Sequence, residues 1–98
     1  MKESAIEAKL VRMVRDLGGL CYKFVSPGNP GVPDRLILLP GGRVVFVELK
    51  TEIGRLANIQ KWQIGEMRER GADVRVLMGL DQVLAFMREV MPHEVHTA

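Results

Sequence analysis

Ile6, Leu10, Met13, Val14 and Leu17 recur every three or four residues, with Lys9, Arg12, Arg15 and Asp16 between them. That spacing predicts an amphipathic helix over 4–17. Ser4 followed three residues later by Glu7 fits a capping box at its start, and Gly18-Gly19 ends it. The run LCYKFV, 20–25, then reads as a strand, which the SPGNPGVP segment cannot continue. Two further apolar runs, Leu36 to Leu39 and Val44 to Leu49, flank Pro40-Gly41-Gly42 and predict a β-hairpin. Its middle is apolar on both faces, with Leu36, Leu38, Val44 and Phe46 on one and Ile37, Leu39, Val45 and Val47 on the other. Helices are therefore expected to cover both sides. After the polar stretch from Thr51 to Leu56, a helix from about Asn58 to Arg70 has Ile59, Trp62, Ile64 and Met67 available for burial, and Gly71 closes it. Residues 73–78, DVRVLM, read as a strand, and Asp81 is expected to cap a last helix bearing Val83, Leu84, Phe86, Met87 and Val90. The expected order is αβββαβα.

The hairpin carries the candidate chemistry. A turn centred near Gly41 sets Asp34 roughly opposite Glu48, and alternation along the strand points Lys50 to the same face while Leu49 points to the other. Two like charges across a strand pair destabilise a sheet unless something compensates them. A hard divalent cation does so: two carboxylates plus a backbone carbonyl form an oxygen-only set suited to Mg²⁺ or Mn²⁺, and a neighbouring lysine can orient or deprotonate an attacking water. This is a layout for metal-assisted phosphodiester hydrolysis. Gln60 falls one turn before Ile64 on a core-facing stripe, so its amide needs buried partners.

Composition narrows the picture without deciding it. Ninety-eight residues suffice for one domain, 1–98, with a core at about 3–90 and a tail at 92–98 in which His93 and His96 read as frayed ends. Fourteen Lys and Arg against twelve Asp and Glu give a net charge of +2, which neither demands nor excludes nucleic acid. Cys21 is the only cysteine, so an intramolecular disulfide is excluded and a buried thiol in a reducing cytoplasm is expected. No apolar run approaches the ~18 residues of a membrane span, and MKESAIEAK has no hydrophobic signal core. A nucleotide cofactor is not expected either, because the chain has no G-x-x-x-x-G-K-[ST] loop.

Pro33-Asp34, thirteen residues, then Glu48-Leu49-Lys50 resembles the PD-(D/E)XK nuclease signature. Gly31-Val32-Pro33-Asp34-Arg35-Leu36, Val47-Glu48-Leu49-Lys50-Thr51 and the later Gln60 are similar to the virus-type replication-repair nuclease (VRR-NUC) branch of that superfamily, over about residues 3–90. The resemblance implies an α/β fold with a restriction-endonuclease-like αβββαβ core, a mixed sheet with helices on both faces. It implies a Mg²⁺-dependent endodeoxyribonuclease in which Asp34, Glu48 and the Leu49 carbonyl hold metal and Lys50 assists the water. A glutamate on the first helix, for which Glu7 is the candidate beside its capping role, would reach the metal directly or through water. Gln60 would orient Lys50 or the nucleophile. The family usually has a serine at the start of the glutamine's helix; Ala57 stands there, with Asn58 as the alternative cap. Lys23, Arg35, Arg55 and Lys61 are candidates for DNA phosphate contacts. Stand-alone viral members look like resolvases of four-way (Holliday) junctions acting as homodimers, which implies branched DNA as partner and a phage or prophage setting in the cytoplasm of a bacterial host. Two other readings stand beside this one: a nucleic-acid-binding module of the same fold without turnover, and a structural protein-interaction domain.

Overall fold

In a computed structural model, residues 1–92 are described. The first helix, α1, runs Glu3–Asp16, and Leu17 and Gly18 turn the chain into β1, Leu20–Lys23. Strand β2, Arg35–Leu38, and strand β3, Val44–Lys50, form the hairpin. Helix α2, Asn58–Glu69, crosses to β4, Val74–Met78, and α3, Leu80–Val90, follows. The αβββαβα order is the expected one.

The four strands lie in the order β1-β2-β3-β4, the first two pairings antiparallel and the last parallel. Gly41 and Gly42 both take φ of +92°, which a side chain rarely tolerates, and so allow the Pro40-Gly41-Gly42 turn to fold β3 back on β2. Arg68 closes the α2 crossover by donating Nε and a terminal guanidinium N–H to the Val74 carbonyl at 3.0 and 2.7 Å.

Helices α1 and α3 cover one face of the sheet. Ile6, Leu10 and Val14 of α1 pack with Ile37, Val45, Val47 and Leu49 and with Val83, Phe86 and Met87 of α3, all buried. Each such side chain contributes about 2 kcal/mol through removal from water. The other face departs from expectation. Helix α2 lies over the β4 side and buries Ile64, whereas its Ile59 and Trp62 stay 44% and 58% exposed. Leu20, Tyr22 and Val44 on that face are also exposed, and Leu36, Leu38 and Phe46 are only half-buried. Cover on both sides is thus realised over only part of the sheet, because twelve residues of α2 cannot reach the β1 edge while spanning β3 to β4.

Helix starts also differ. Lys2, Ala57 and Gly79 occupy the cap positions with no side-chain cap bond, so Ser4, Asn58 and Asp81 lie inside their helices instead of capping them. Cys21 is half-buried, and burial pushes its thiol up from the ordinary value. Among the described residues no helix is long and apolar enough to cross a membrane. His93 and His96 lie outside the described residues.

Candidate active site

The hairpin register decides where the acids meet. Arg35 pairs with Val47, so one step further Asp34 faces Glu48, and the next step sets Pro33 opposite Leu49. Asp34 is anchored at the β2 mouth, its carbonyl accepting from Phe24 N–H at 2.7 Å. In β3 the Lys50 carbonyl accepts from Gly79 N–H and the Phe46 N–H donates to Asp73, so even-numbered backbone groups point toward β4. Odd-numbered ones point toward β2. Proline has no N–H, so the Leu49 carbonyl meets no ladder donor from Pro33.

Among the described residues Glu48 is the one buried charged side chain, 2% exposed. Its Oε2 accepts from Gln60 Nε2 at 3.1 Å and lies 3.6 Å from Lys50 Nζ. Its Oε1 is buried with no hydrogen-bond partner. Burial, and then the neighbouring Asp34, push the Glu48 carboxyl up to about 7; Lys50 opposes this and Glu3 adds to it. An orphaned buried carboxylate oxygen costs on the order of 1–3 kcal/mol until a water, an ion or a ligand satisfies it.

Gln60 reaches Glu48 because the start of α2 is pinned. Its Oε1 accepts from the Ala57 backbone N–H at 2.9 Å, so the glutamine does for the helix start part of what a cap side chain would. Gly31, with φ of +92°, lets the loop before Asp34 press on α2: a Cβ there would fall 2.8 Å from the Ile59 carbonyl oxygen. The loop and the helix bearing Gln60 therefore hold one another in place.

Glu7 does not join this group. The sheet face carrying Lys23 and Arg35 is the one under α1, opposite the face of Asp34, Glu48 and Lys50. There Glu7 Oε2 accepts from Arg35 Nε at 2.9 Å and pairs with Lys23 Nζ at 3.5 Å. Burial works against the charged form of Glu7, but Arg35 and then Lys23 outweigh it and hold its carboxyl below the ordinary value. Lys23 and Arg35, expected on DNA phosphates, are thus engaged with Glu7, and Arg35 is largely buried. Of the acids on α1, Glu3 adds a push on the Glu48 carboxyl that is smaller than those of burial and Asp34. Glu3 lies three residues before Ile6 and seven before Leu10, in line with the buried stripe but itself exposed, whereas Glu7 lies beside that stripe and is half-buried.

Arg55 and Lys61 are better placed. With Leu56, Val76 and Met78 they line an open groove. Val76 and Met78 pair with Glu48 and Lys50, so the groove adjoins the same sheet face as the acids.

The fold implies a divalent metal, and the donor set fits one. Among the described residues no three His, Cys, Asp or Glu side chains gather in one place, so the set is two carboxylates and the unpaired Leu49 carbonyl. All are hard oxygen donors, and the orphaned Glu48 Oε1 supplies the free lone pairs.

No family model matches the chain. A solved structure named "VRR_NUC domain" superposes on it with a TM-score of 0.84 at 31% identity, over 90% of this chain and 96% of that one. The chain belongs to the VRR-NUC family. A second solved structure, "VRR_NUC domain protein", has the same fold as this VRR-NUC domain, with a TM-score of 0.72 at 15% identity over 91% of this chain and 87% of its own. The "Putative nuclease p44" of Acyrthosiphon pisum secondary endosymbiont phage 1 is 58% identical over 50 residues. That match spans 51% of the VRR-NUC domain described here and 54% of the phage protein, about half its length.

Proposed function

We propose that this VRR-NUC domain is a divalent-metal-dependent endonuclease that hydrolyses DNA phosphodiesters. The observation that carries the reading is Glu48: a buried carboxylate with one oxygen held by Gln60 beside Lys50, the other without a partner, facing Asp34 across the hairpin. A purely structural domain gains nothing from that arrangement.

Asp34, Glu48 and the Leu49 carbonyl would hold Mg²⁺, with Mn²⁺ able to replace it and Glu3, instead of Glu7, as the outlying acid. Bound there, the ion supplies a Lewis acid for a phosphoryl oxygen and a water of lowered pKa. Lys50, with its side chain only 18% exposed beside Glu48, presents an ammonium to the attacking water and to the charge that develops on phosphate. Gln60 positions Glu48 and so indirectly Lys50. Arg55 and Lys61 hold flanking phosphates, which fix register without reading sequence.

The substrate we infer is branched DNA, a four-way junction cut by a homodimer in the cytoplasm of a phage-infected bacterium. A two-fold junction needs two matched incisions, and a C2 dimer provides two sites. The half-open sheet face of Leu20, Tyr22, Leu36, Leu38, Val44 and Phe46 supports the dimer: this register places no charged side chain among them, so a second copy of the same face covers it without burying an ion. Cleavage of a labelled panel of junction, flap, linear duplex and single strand, with and without Mg²⁺, tests the reading. Metal-dependent nicking with paired cuts on the junction is expected; no cleavage of any substrate with either metal overturns it.

A further inference from the structure

Ile53 is 91% exposed, more than any other large apolar side chain among the described residues. A lone exposed aliphatic residue needs no explanation by itself. Its mounting sets this one apart. It follows Lys50 by three residues, at the tip of a turn closed by a hydrogen bond from Gly54 N–H to the Thr51 carbonyl at 3.0 Å. Turn tips favour Asn, Asp, Ser and Gly, and a β-branched side chain that packs against nothing contributes nothing to folding there.

The turn is also firmly seated. A Cβ on Gly54 would lie 3.0 Å from Lys50 Cβ, and one on Gly79 would lie 2.6 Å from Glu52 Cγ. Gly79 N–H in turn donates to the Lys50 carbonyl at 2.8 Å. The turn is therefore packed against the strand end that carries Lys50 and against the residue preceding α3. Two residues beyond Ile53, Arg55 opens the cation-lined groove that it shares with Lys61. Side by side, then, stand a lysine at the candidate reaction centre, an exposed aliphatic side chain on a braced turn, and two cations that line one groove.

We propose that Ile53 is a specificity-determining residue that inserts against the nucleobases next to the scissile phosphate and selects DNA whose bases are already unstacked or easily parted. Aliphatic wedges of this kind part a base step at a cost that is least where the stack is already broken. A strand held through its phosphates by Arg55 and Lys61 brings its bases to this side chain. The proposal rests on the nuclease reading, so its test separates the two.

Ile53→Ser, Ile53→Leu and the unaltered protein are compared on a four-way junction, a matched linear duplex and a single strand, all with Mg²⁺. Binding to a junction carrying 2-aminopurine at the branch is followed with Ca²⁺ in place of Mg²⁺. Ile53→Ser is expected to lose roughly tenfold of junction cleavage and the 2-aminopurine rise, while single-strand cleavage stays within about twofold and Ile53→Leu behaves as the unaltered protein. Unchanged junction preference in Ile53→Ser overturns the proposal, as does an equal loss on all three substrates or a change in sedimentation, which would make Ile53 a packing or subunit contact. If the unaltered protein cuts none of the three, the nuclease reading itself fails, and the wedge fails with it.

Discussion

The two faces of the sheet are built from the same alternating strands and end up in opposite conditions. Under α1 and α3, Ile37, Val45 and Val47 are fully buried, and the charges at the margin, Glu7 with Arg35 and Lys23, neutralise one another. On the face of α2, Leu36 and Phe46 are half-covered, Tyr22 is exposed, and the row ends in two facing acids, one of which keeps an oxygen without a partner. One face satisfies its groups and stabilises the domain. The other keeps apolar area and one carboxylate oxygen unsatisfied, the condition of a surface that has something to bind.

The largest effect expected from that contrast is on turnover. Asp34→Asn, Glu48→Gln and Lys50→Ala should each lower Mg²⁺-dependent cleavage by roughly a thousandfold or more with an unchanged circular dichroism spectrum, because these residues serve charge placement and not packing. Two of the three retaining activity in a gel assay would remove the mechanism.

Packing gives the next effect. Ile37→Ala on the closed face should cost about 3 kcal/mol in urea denaturation, since a fully buried side chain leaves a cavity. Val44→Ala, at 41% exposure on the open face, should cost well under about 1 kcal/mol. If dimer formation covers the open face, the Val44 cost should grow with protein concentration while the Ile37 cost stays constant; parity of the two at every concentration would contradict the division of faces.

Glu48 sharpens the contrast through pH. Its carboxyl binds a proton more tightly in the folded chain than in the unfolded one, with the folded value at about 7. The metal-free domain should therefore be most stable, as far as this group goes, below the ordinary carboxylate value of 4.5, and lose on the order of 2 kcal/mol as pH rises toward about 7. Glu48→Gln should remove that slope and raise the metal-free Tm at pH 8, while abolishing stabilisation by Mg²⁺. Calorimetry of Mg²⁺ binding near pH 7, repeated in buffers of different ionisation enthalpy, should show proton release from the unaltered protein. A metal-free Glu48→Gln that melts lower than the parent at pH 8 would count against the orphaned-oxygen account.

Much of this was legible in the residues, for reasons that also explain what was not. The turn at Gly41 sets the pairing Arg35 with Val47, and from it the opposition of Asp34 and Glu48, because strand register is local arithmetic once the turn is placed. Gln60 was visible as a polar residue on a buried stripe. Helix placement over the sheet is not local: apolar residues on both faces of the hairpin showed that cover was wanted, not that α2 would sit over β4 and leave β1 bare. The pairing of Glu7 with Arg35 and Lys23 has the same origin. A helical stripe shows which residues turn inward, but which acid of α1 comes within electrostatic reach of the carboxylates depends on how the helix crosses the sheet: Glu3 acts weakly on Glu48, while Glu7 pairs with Arg35 and Lys23. Caps failed for a smaller reason. Ser4, Asn58 and Asp81 each lie one or two residues inside a helix whose end is set by packing and backbone bonds, worth as much as the cap itself.

The smallest effect tests the role of Glu7. Glu7→Gln keeps the shape of the side chain and removes the charge that Arg35 and Lys23 share, on the face away from the candidate site. Cleavage should fall by less than about threefold, since an acid that does not touch the reacting group affects it only through a screened field. Glu3→Gln should act more strongly, since Glu3 and not Glu7 bears on Glu48. Stability should respond in the reverse order. Arg35 is mostly buried, and depriving it of its carboxylate should cost about 1 kcal/mol at neutral pH. Because the folded Glu7 carboxyl titrates below its ordinary value of 4.5, that contribution is fully present above 4.5 and is lost as the pH falls through the depressed folded value. Parent and Glu7→Gln melting curves should thus converge in acid and separate at pH 7. A Glu7→Gln that loses cleavage as completely as Glu48→Gln, with no change in its melt, would place Glu7 in the metal group.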